Sequence, residues 1–186
     1  MRRNIGTLDI SEKPIVIFLD VDGVLLPFPS ASKSSCGALF PDQCLASLSE
    51  ILDSHPKTKL VLSSTWRARK DLIEEILKSF EIYGAAFGGP LASIKDFFDI
   101  TDQNFHSERQ QEIYRYLYSK KNKSCVSKAE RIAAWVVLDD EELLEGAVNS
   151  NYRNQFEGHV VKVNSRTGLT PNDATLAIKL VHEQCG

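Results

Sequence analysis

Three short stretches of this chain set oxygen-bearing side chains directly behind apolar runs. In IVIFLDVDGVLL, residues 15–26, five apolar residues lead into Asp20, and Asp22 follows two positions on, before Gly23. In LVLSSTWR the run ends on Ser63 and Ser64, with Trp66 and Arg67 just beyond. In WVVLDDEE it ends on Asp139 and Asp140. Carboxylates gathered at one place raise one another's pKa unless a cation lies among them. Ligands that are all oxygen, with few basic partners, suit a hard ion, and Mg²⁺ is the expected one.

Such an arrangement requires elements that bring the three run-ends together. Ile15–Leu19 is apolar at every position, as expected of a parallel strand covered on both faces. A Pro/Ser-rich loop over 27–41 precedes a helix at about 42–54, for which Asp42 is a candidate cap. Leu60–Leu62 reads as a second strand. Asp71–Phe80 is amphipathic, with Leu72, Ile73, Ile76, Leu77 and Phe80 on one face. Residues 82–104 carry no single pattern: a short strand is expected near Ile82–Phe87, then GGP and an aromatic loop. A helix is expected over Ser107–Lys120, with Ser107 as its cap, followed by strands at Trp135–Leu138 and His159–Val163. A final helix begins near Pro171, proline suiting a first turn. Strands alternating with helices imply an α/β fold with a mainly parallel sheet and right-handed crossovers. In such sheets ligands sit beyond the carboxyl ends of the strands. Residues 1–186 read as one domain.

Composition excludes several classes. A hydrophobic share of 42% with 25% charged residues is that of an ordinary globular chain. The net charge of −3 gives no global attraction for nucleic acid or anionic membrane. Cys36, Cys44, Cys125 and Cys185 lack zinc-ligand spacing and read as reduced thiols. No apolar run approaches membrane-spanning length and MRRNIGTLDISEKP lacks a signal-peptide core, so a cytoplasmic location is expected. Other acid-rich motifs do not fit: counted from Asp20 as an EF-hand loop, glycine falls fourth and the twelfth residue is Ala31. Neither a GxxxxGK[ST] loop nor a GxSxG elbow occurs.

FLDVDGVLL resembles the first motif of the haloacid dehalogenase-like (HAD) superfamily, VLSSTWR its second and VVLDDEE its fourth, in the right order over residues 15–142. The STWR, the helix ERQQEIYRYL and a late GLT are most similar to the HAD domain of Swiss-army-knife RNA-repair proteins. The resemblance implies a three-layer Rossmann-like fold and a nucleophile, Asp20, that forms an aspartyl-phosphate. It makes Asp22 the acid that protonates the leaving alcohol and then the base that activates water. Dehalogenase members lack that second acid, so phosphoryl transfer is favoured. Mg²⁺ would be held by Asp20, the Asp22 carbonyl and Asp139, with Asp140 a further candidate, and Gly23 would let the backbone approach the phosphate. Ser64 is preferred over Ser63 for the phosphate-binding hydroxyl, strand register deciding between them. Trp66 is expected to pack at the site's edge, and Arg67 to bind substrate or pair with a surface acid. The superfamily's basic residue has two candidates, Arg109 at a helix start and Lys128, with the stretch between them resembling an insertion. Only about 35 residues separate the first two motifs, so little or no cap is expected. An open site admits bulky phosphoesters such as nucleic-acid ends or phosphoproteins, and the KKNK run over 120–123 is a candidate phosphate-backbone contact.

Overall fold

Every strand pair in the sheet is parallel. The structure, a computed structural model, describes residues 13–29, 34–102, 108–118, 129–145 and 151–186. Strands β1 (Ile15–Leu19), β2 (Thr58–Leu62), β3 (Asp99–Ile100), β4 (Ala134–Asp139) and β5 (Val160–Lys162) lie in the order β3-β2-β1-β4-β5. The expected Lys128, the Ser107 cap and the KKNK run lie outside the described residues.

Alternation along the strands divides the interior into two cores. Ile15, Ile17 and Leu19 of β1 join Leu60, Leu62, Val136 and Leu138 in one. Val16 and Phe18 join Val61, Trp135 and Val137 in the other. Helices α1 (Asp42–Asp53), α2 (Lys70–Phe87) and α5 (Pro171–Cys185) cover the first core through Leu45, Leu48, Ile76, Phe80 and Ala177. Helices α3 (Arg109–Tyr118) and α4 (Arg153–Phe156) cover the second through Ile113, Leu117 and Phe156. The chain winds outward from β1 to β3 on one face, then returns past β1 to β4 with α3 on the opposite face. Right-handed crossovers demand that change of face. The reversal makes the junction of β1 and β4 the switch point where such sheets bind ligands.

Three local expectations are corrected. Asp42 does not cap α1: Pro41 holds that position, while the Asp42 carboxylate accepts hydrogen bonds from Ser34 Oγ and the Ser35 amide, tying down the preceding loop. The expected strand at Ile82–Phe87 is the last part of α2, because Tyr83 and Gly84 keep the buried helical face running. A Cβ on Gly84 would lie 2.5 Å from Ala92 Cα, so this close approach holds the following Pro90–Ser93 turn against the helix. Gly88, at φ 79, then stops α2. Finally, β4 extends one residue further than expected and takes in Asp139. At α5 the expected start at Pro171 is observed, with a capping box between Thr170 and Asp173. No described helix is long and apolar enough to cross a membrane.

Candidate active site

The sheet register brings the first and fourth acidic stretches side by side. Leu19 pairs with both Leu62 and Leu138. The ladder runs one step further, the Asp20 amide donating to Leu138 O and the Ser63 amide to Leu19 O, each at 3.0 Å. In β4, Asp139 follows Trp135 and Val137 in the pleat, so it points to the core covered by α3. The first residue of α3 is Arg109. Its Nη2 lies 2.9 Å from Asp20 Oδ1 and its Nε 3.0 Å from Asp139 Oδ2. Asp140 completes the group, with carboxylate oxygens of Asp20, Asp139 and Asp140 all within 4.8 Å of one another.

These acids are held where charge is costly. Burial first, and then Asp139, push the Asp20 carboxyl up to about 7, against the opposing pull of Arg109 and of the Ser64 hydroxyl that hydrogen-bonds it. Burial likewise pushes Asp139 up to about 6, and raises Asp140. Burial works against the Arg109 charge too, but Asp139 and Asp20 outweigh it and hold the guanidinium protonated. Among the described residues, three carboxylates, once ionised, face one guanidinium, a deficit of two charges that a divalent cation would fill. Asp139 Oδ1 accepts the Glu141 amide at 2.9 Å. Its Oδ2 is fully buried and receives no hydrogen bond from the described residues, since Arg109 Nε approaches it without a hydrogen bond's alignment. An acceptor left in that state is expected to have another partner. Buried acid oxygens with an unmatched lone pair fit Mg²⁺.

Asp22 stands apart from this group. It lies in the tight turn after β1, half-buried, and its Oδ2 accepts a 2.9 Å hydrogen bond from Trp66 Nε1. Gly23, at φ 73, closes that turn through its amide to Leu26 O at 2.8 Å. A Cβ on Gly23 would lie 2.4 Å from Asp140 Cγ, so the close approach it permits is to a carboxylate of the acid cluster. The late GLT braces the same segment: the Leu169 amide donates to Val24 O at 2.8 Å, and a Cβ on Gly168 would lie 2.9 Å from that oxygen.

Of the two serines, Ser64 reaches Asp20, while the Ser63 hydroxyl is buried with no hydrogen-bond partner among the described residues. Arg67 departs from both of its expected roles. It is buried, its Nη1 donates to the carbonyls of Ser63 and Ser64 at 2.7 Å each, and its Nη2 lies 3.1 Å from Asp102 O and 2.6 Å from Glu112 Oε1. It therefore fixes the serine turn from within rather than facing a substrate. Of the two expected basic residues, Arg109 is placed among the acids, and Lys128 lies outside the described residues. Glu112, 3.6 Å from Arg109 Nη1 and buried, was not anticipated, although its position three residues after Arg109 puts both on one helical face. The bond from Trp66 to Asp22 had no signal in the sequence, being a contact across 44 positions.

A parallel α/β sheet whose switch point carries an aspartate, a second acid two residues on and an arginine-bridged acidic pair is the arrangement expected of a phosphatase-type hydrolase. The HAD domain in Swiss Army Knife RNA repair proteins matches residues 16–174, and the chain belongs to that family. No curated protein and no solved structure matches it.

Proposed function

We propose that the protein is a Mg²⁺-dependent phosphatase that hydrolyses phosphomonoesters through an aspartyl-phosphate on Asp20. The observation that carries this is the buried cluster of Asp20, Asp139 and Asp140 around Arg109, with Ser64 on Asp20 and Asp22 to one side. Mg²⁺ would be held by Asp20, Asp139 and Asp140 and by the Asp22 carbonyl, and would neutralise phosphoryl charge beside the nucleophile. Arg109 orients Asp20 through Oδ1 and offers its charge to the transferring phosphoryl group. Asp20 attacks phosphorus, the ester P–O bond breaks, and the leaving alkoxide takes a proton from Asp22. Water then attacks the acyl-phosphate, gives its proton to Asp22, and the bond between phosphorus and Asp20 breaks, releasing inorganic phosphate and the starting enzyme. Ser64 is positioned to donate to a phosphate oxygen at Asp20.

The described residues between β1 and α1 form turns and no helix. A connection without a cap there would admit substrates bulkier than a metabolite, such as nucleic-acid ends or phosphoproteins. The description of the family, which speaks of RNA repair, favours nucleic-acid ends as a second, narrower reading.

The test is phosphate release from a panel of alkyl, nucleotide-end and phosphopeptide esters, with Mg²⁺ and with EDTA. Turnover that requires Mg²⁺ and vanishes in Asp20→Asn is expected. Silence on every ester, with Mg²⁺ and phosphate still bound, would make this a non-catalytic binding domain instead.

A further inference from the structure

We propose that Trp66 is a positioning residue for Asp22, its indole N–H fixing which oxygen of that carboxyl exchanges the proton. This deepens the phosphatase reading and rests on it. The geometry is one bond, Trp66 Nε1 to Asp22 Oδ2 at 2.9 Å, made by a ring that is fixed from several sides. Trp66 lies in the short 3-10 turn Thr65–Ala68, whose cap, Ser64, accepts the Trp66 amide through Oγ. Arg67 locks the same turn through the carbonyls of Ser63 and Ser64. The indole ring packs against Phe40, with centroids 6.2 Å apart and planes tilted by 48°. One four-residue turn and its cap thus touch both catalytic carboxyls, Ser64 at Asp20 and Trp66 at Asp22.

An indole N–H donates and cannot accept. The oxygen that faces it must therefore present a lone pair whether Asp22 is charged or neutral. When Asp22 is the acid, its proton can then sit only on Oδ1. Both half-reactions use that same atom: Oδ1–H delivers the proton to the leaving alkoxide, and Oδ1 receives the proton from water. Without the indole, rotation about χ2 would exchange the two oxygens and send the proton away from the reacting centre in a share of encounters. A residue with a merely structural role would instead lower stability, or lower all activities alike.

The test uses Trp66→Phe, which keeps a ring against Phe40 and deletes the N–H, in a cycle with Asp22→Asn and the double variant. Single-turnover release of the alcohol is measured from an alkyl phosphate and from an activated aryl phosphate, with Mg²⁺ present. Loss of a hydrogen bond to a carboxylate is expected to slow the alkyl ester by about tenfold or more, and the aryl ester several-fold less, since its leaving group needs little proton. In the Asp22→Asn background Trp66→Phe should cost nothing further, because the residue acts through Asp22. The chain has two tryptophans, so its indole ¹⁵N–¹H spectrum has two resonances, and the one absent from Trp66→Phe should move in Asp22→Asn. That arm needs no Trp66 variant to be active. Equal losses on the two esters, losses that multiply with Asp22→Asn, or an indole resonance indifferent to Asp22→Asn would overturn the role. A wild type silent on both esters overturns the phosphatase reading and this role with it. An active wild type that Trp66→Phe leaves unchanged overturns the role alone.

Discussion

Without metal, the protein should be more stable in mild acid than at pH 8, and the acid cluster is the reason. Asp20 has an ordinary value of 3.8 and is pushed up to about 7 by burial and by Asp139, which is itself pushed up to about 6. The folded protein thus holds a proton that the unfolded chain has released between about pH 4 and 7. Folding takes up that proton, so stability falls as pH rises through this window and is lowest above about 7. A carboxyl raised this far corresponds to about 4 kcal/mol. Asp139 raises Asp20 and the two share Arg109, so the pair counts once, and about 4 kcal/mol is the ceiling. From pH 5 to pH 8 about two units of that window are crossed, about 3 kcal/mol, which for a chain of this size is a melting temperature lower by roughly 8 °C. His159 pulls the other way: burial lowers its pKa, so its contribution grows as pH rises. The comparison that isolates the cluster is therefore wild type against Asp139→Asn, melted in EDTA at steps from pH 5 to 8. The variant removes the like charge beside Asp20, and its melting temperature should fall less with pH. Mg²⁺ should offset most of the wild-type trend, adding about 2.7 kcal/mol at a hundred times its Kd. It should act more strongly at pH 8 than at pH 5, where protons compete for the same oxygens. Equal slopes for wild type and Asp139→Asn in EDTA, or Mg²⁺ stabilising both pH extremes alike, would refute this account of the cluster.

Asp22→Asn keeps the backbone carbonyl and the cluster acids, so Mg²⁺ titrations should be little changed while alkyl-ester turnover falls by about 10²–10⁴-fold. Phosphoenzyme should accumulate with an aryl phosphate, read by trapping and mass spectrometry. Glu112→Gln breaks a buried pair with Arg67 and should cost about 3 kcal/mol in urea unfolding, a loss of under 1 kcal/mol arguing that the pair is dispensable. Gly23→Ala meets both a left-handed φ and the Asp140 carboxylate, whereas Gly37→Ala, at φ 83, meets open space. Gly37→Ala should lose about 1–2 kcal/mol of stability, read in urea, and Gly23→Ala more, and only Gly23→Ala should weaken Mg²⁺ binding.

The fold was legible wherever burial is written into periodicity. Ile15–Leu19 is apolar throughout because both its faces are covered, and Pro171 opens α5 because its ring fits a first turn. The acids were legible for the same reason, since charge directly behind a buried strand has no packing explanation. What was misread shows the limits of that signal. Ile82–Phe87 is apolar enough for a strand, but as the end of α2 it continues a helical face that Gly88 stops. Arg67 is expected from the sequence to bind substrate or pair with a surface acid, yet its partners are two adjacent carbonyls and a buried glutamate 45 positions away. Charge in a sequence does not say which way a side chain turns. The tie between Trp66 and Asp22 escaped for the complementary reason, because an aromatic residue reads as packing until its N–H is seen to have an acceptor.

The two arginines divide the electrostatic work by depth. Arg67 and Glu112 form a buried pair, joined at 2.6 Å, whose charges cancel. Burial lowers the pKa of Arg67 and raises that of Glu112, so each is kept ionised by the other and by the carbonyls Arg67 caps. Because Glu112 is balanced in this way, its 3.6 Å approach to Arg109 Nη1 orients that guanidinium without neutralising it. The Arg109 charge is thus left for Asp20 and Asp139, which are closer at 2.9 and 3.0 Å. It can offset one of the three carboxylates there and no more. A second arginine facing the acids would cancel the charge that favours a divalent ion, and none would leave three carboxylates that cannot all ionise. On the phosphatase reading, one guanidinium in the cluster and one held behind it leave room for both a divalent ion and the nucleophile.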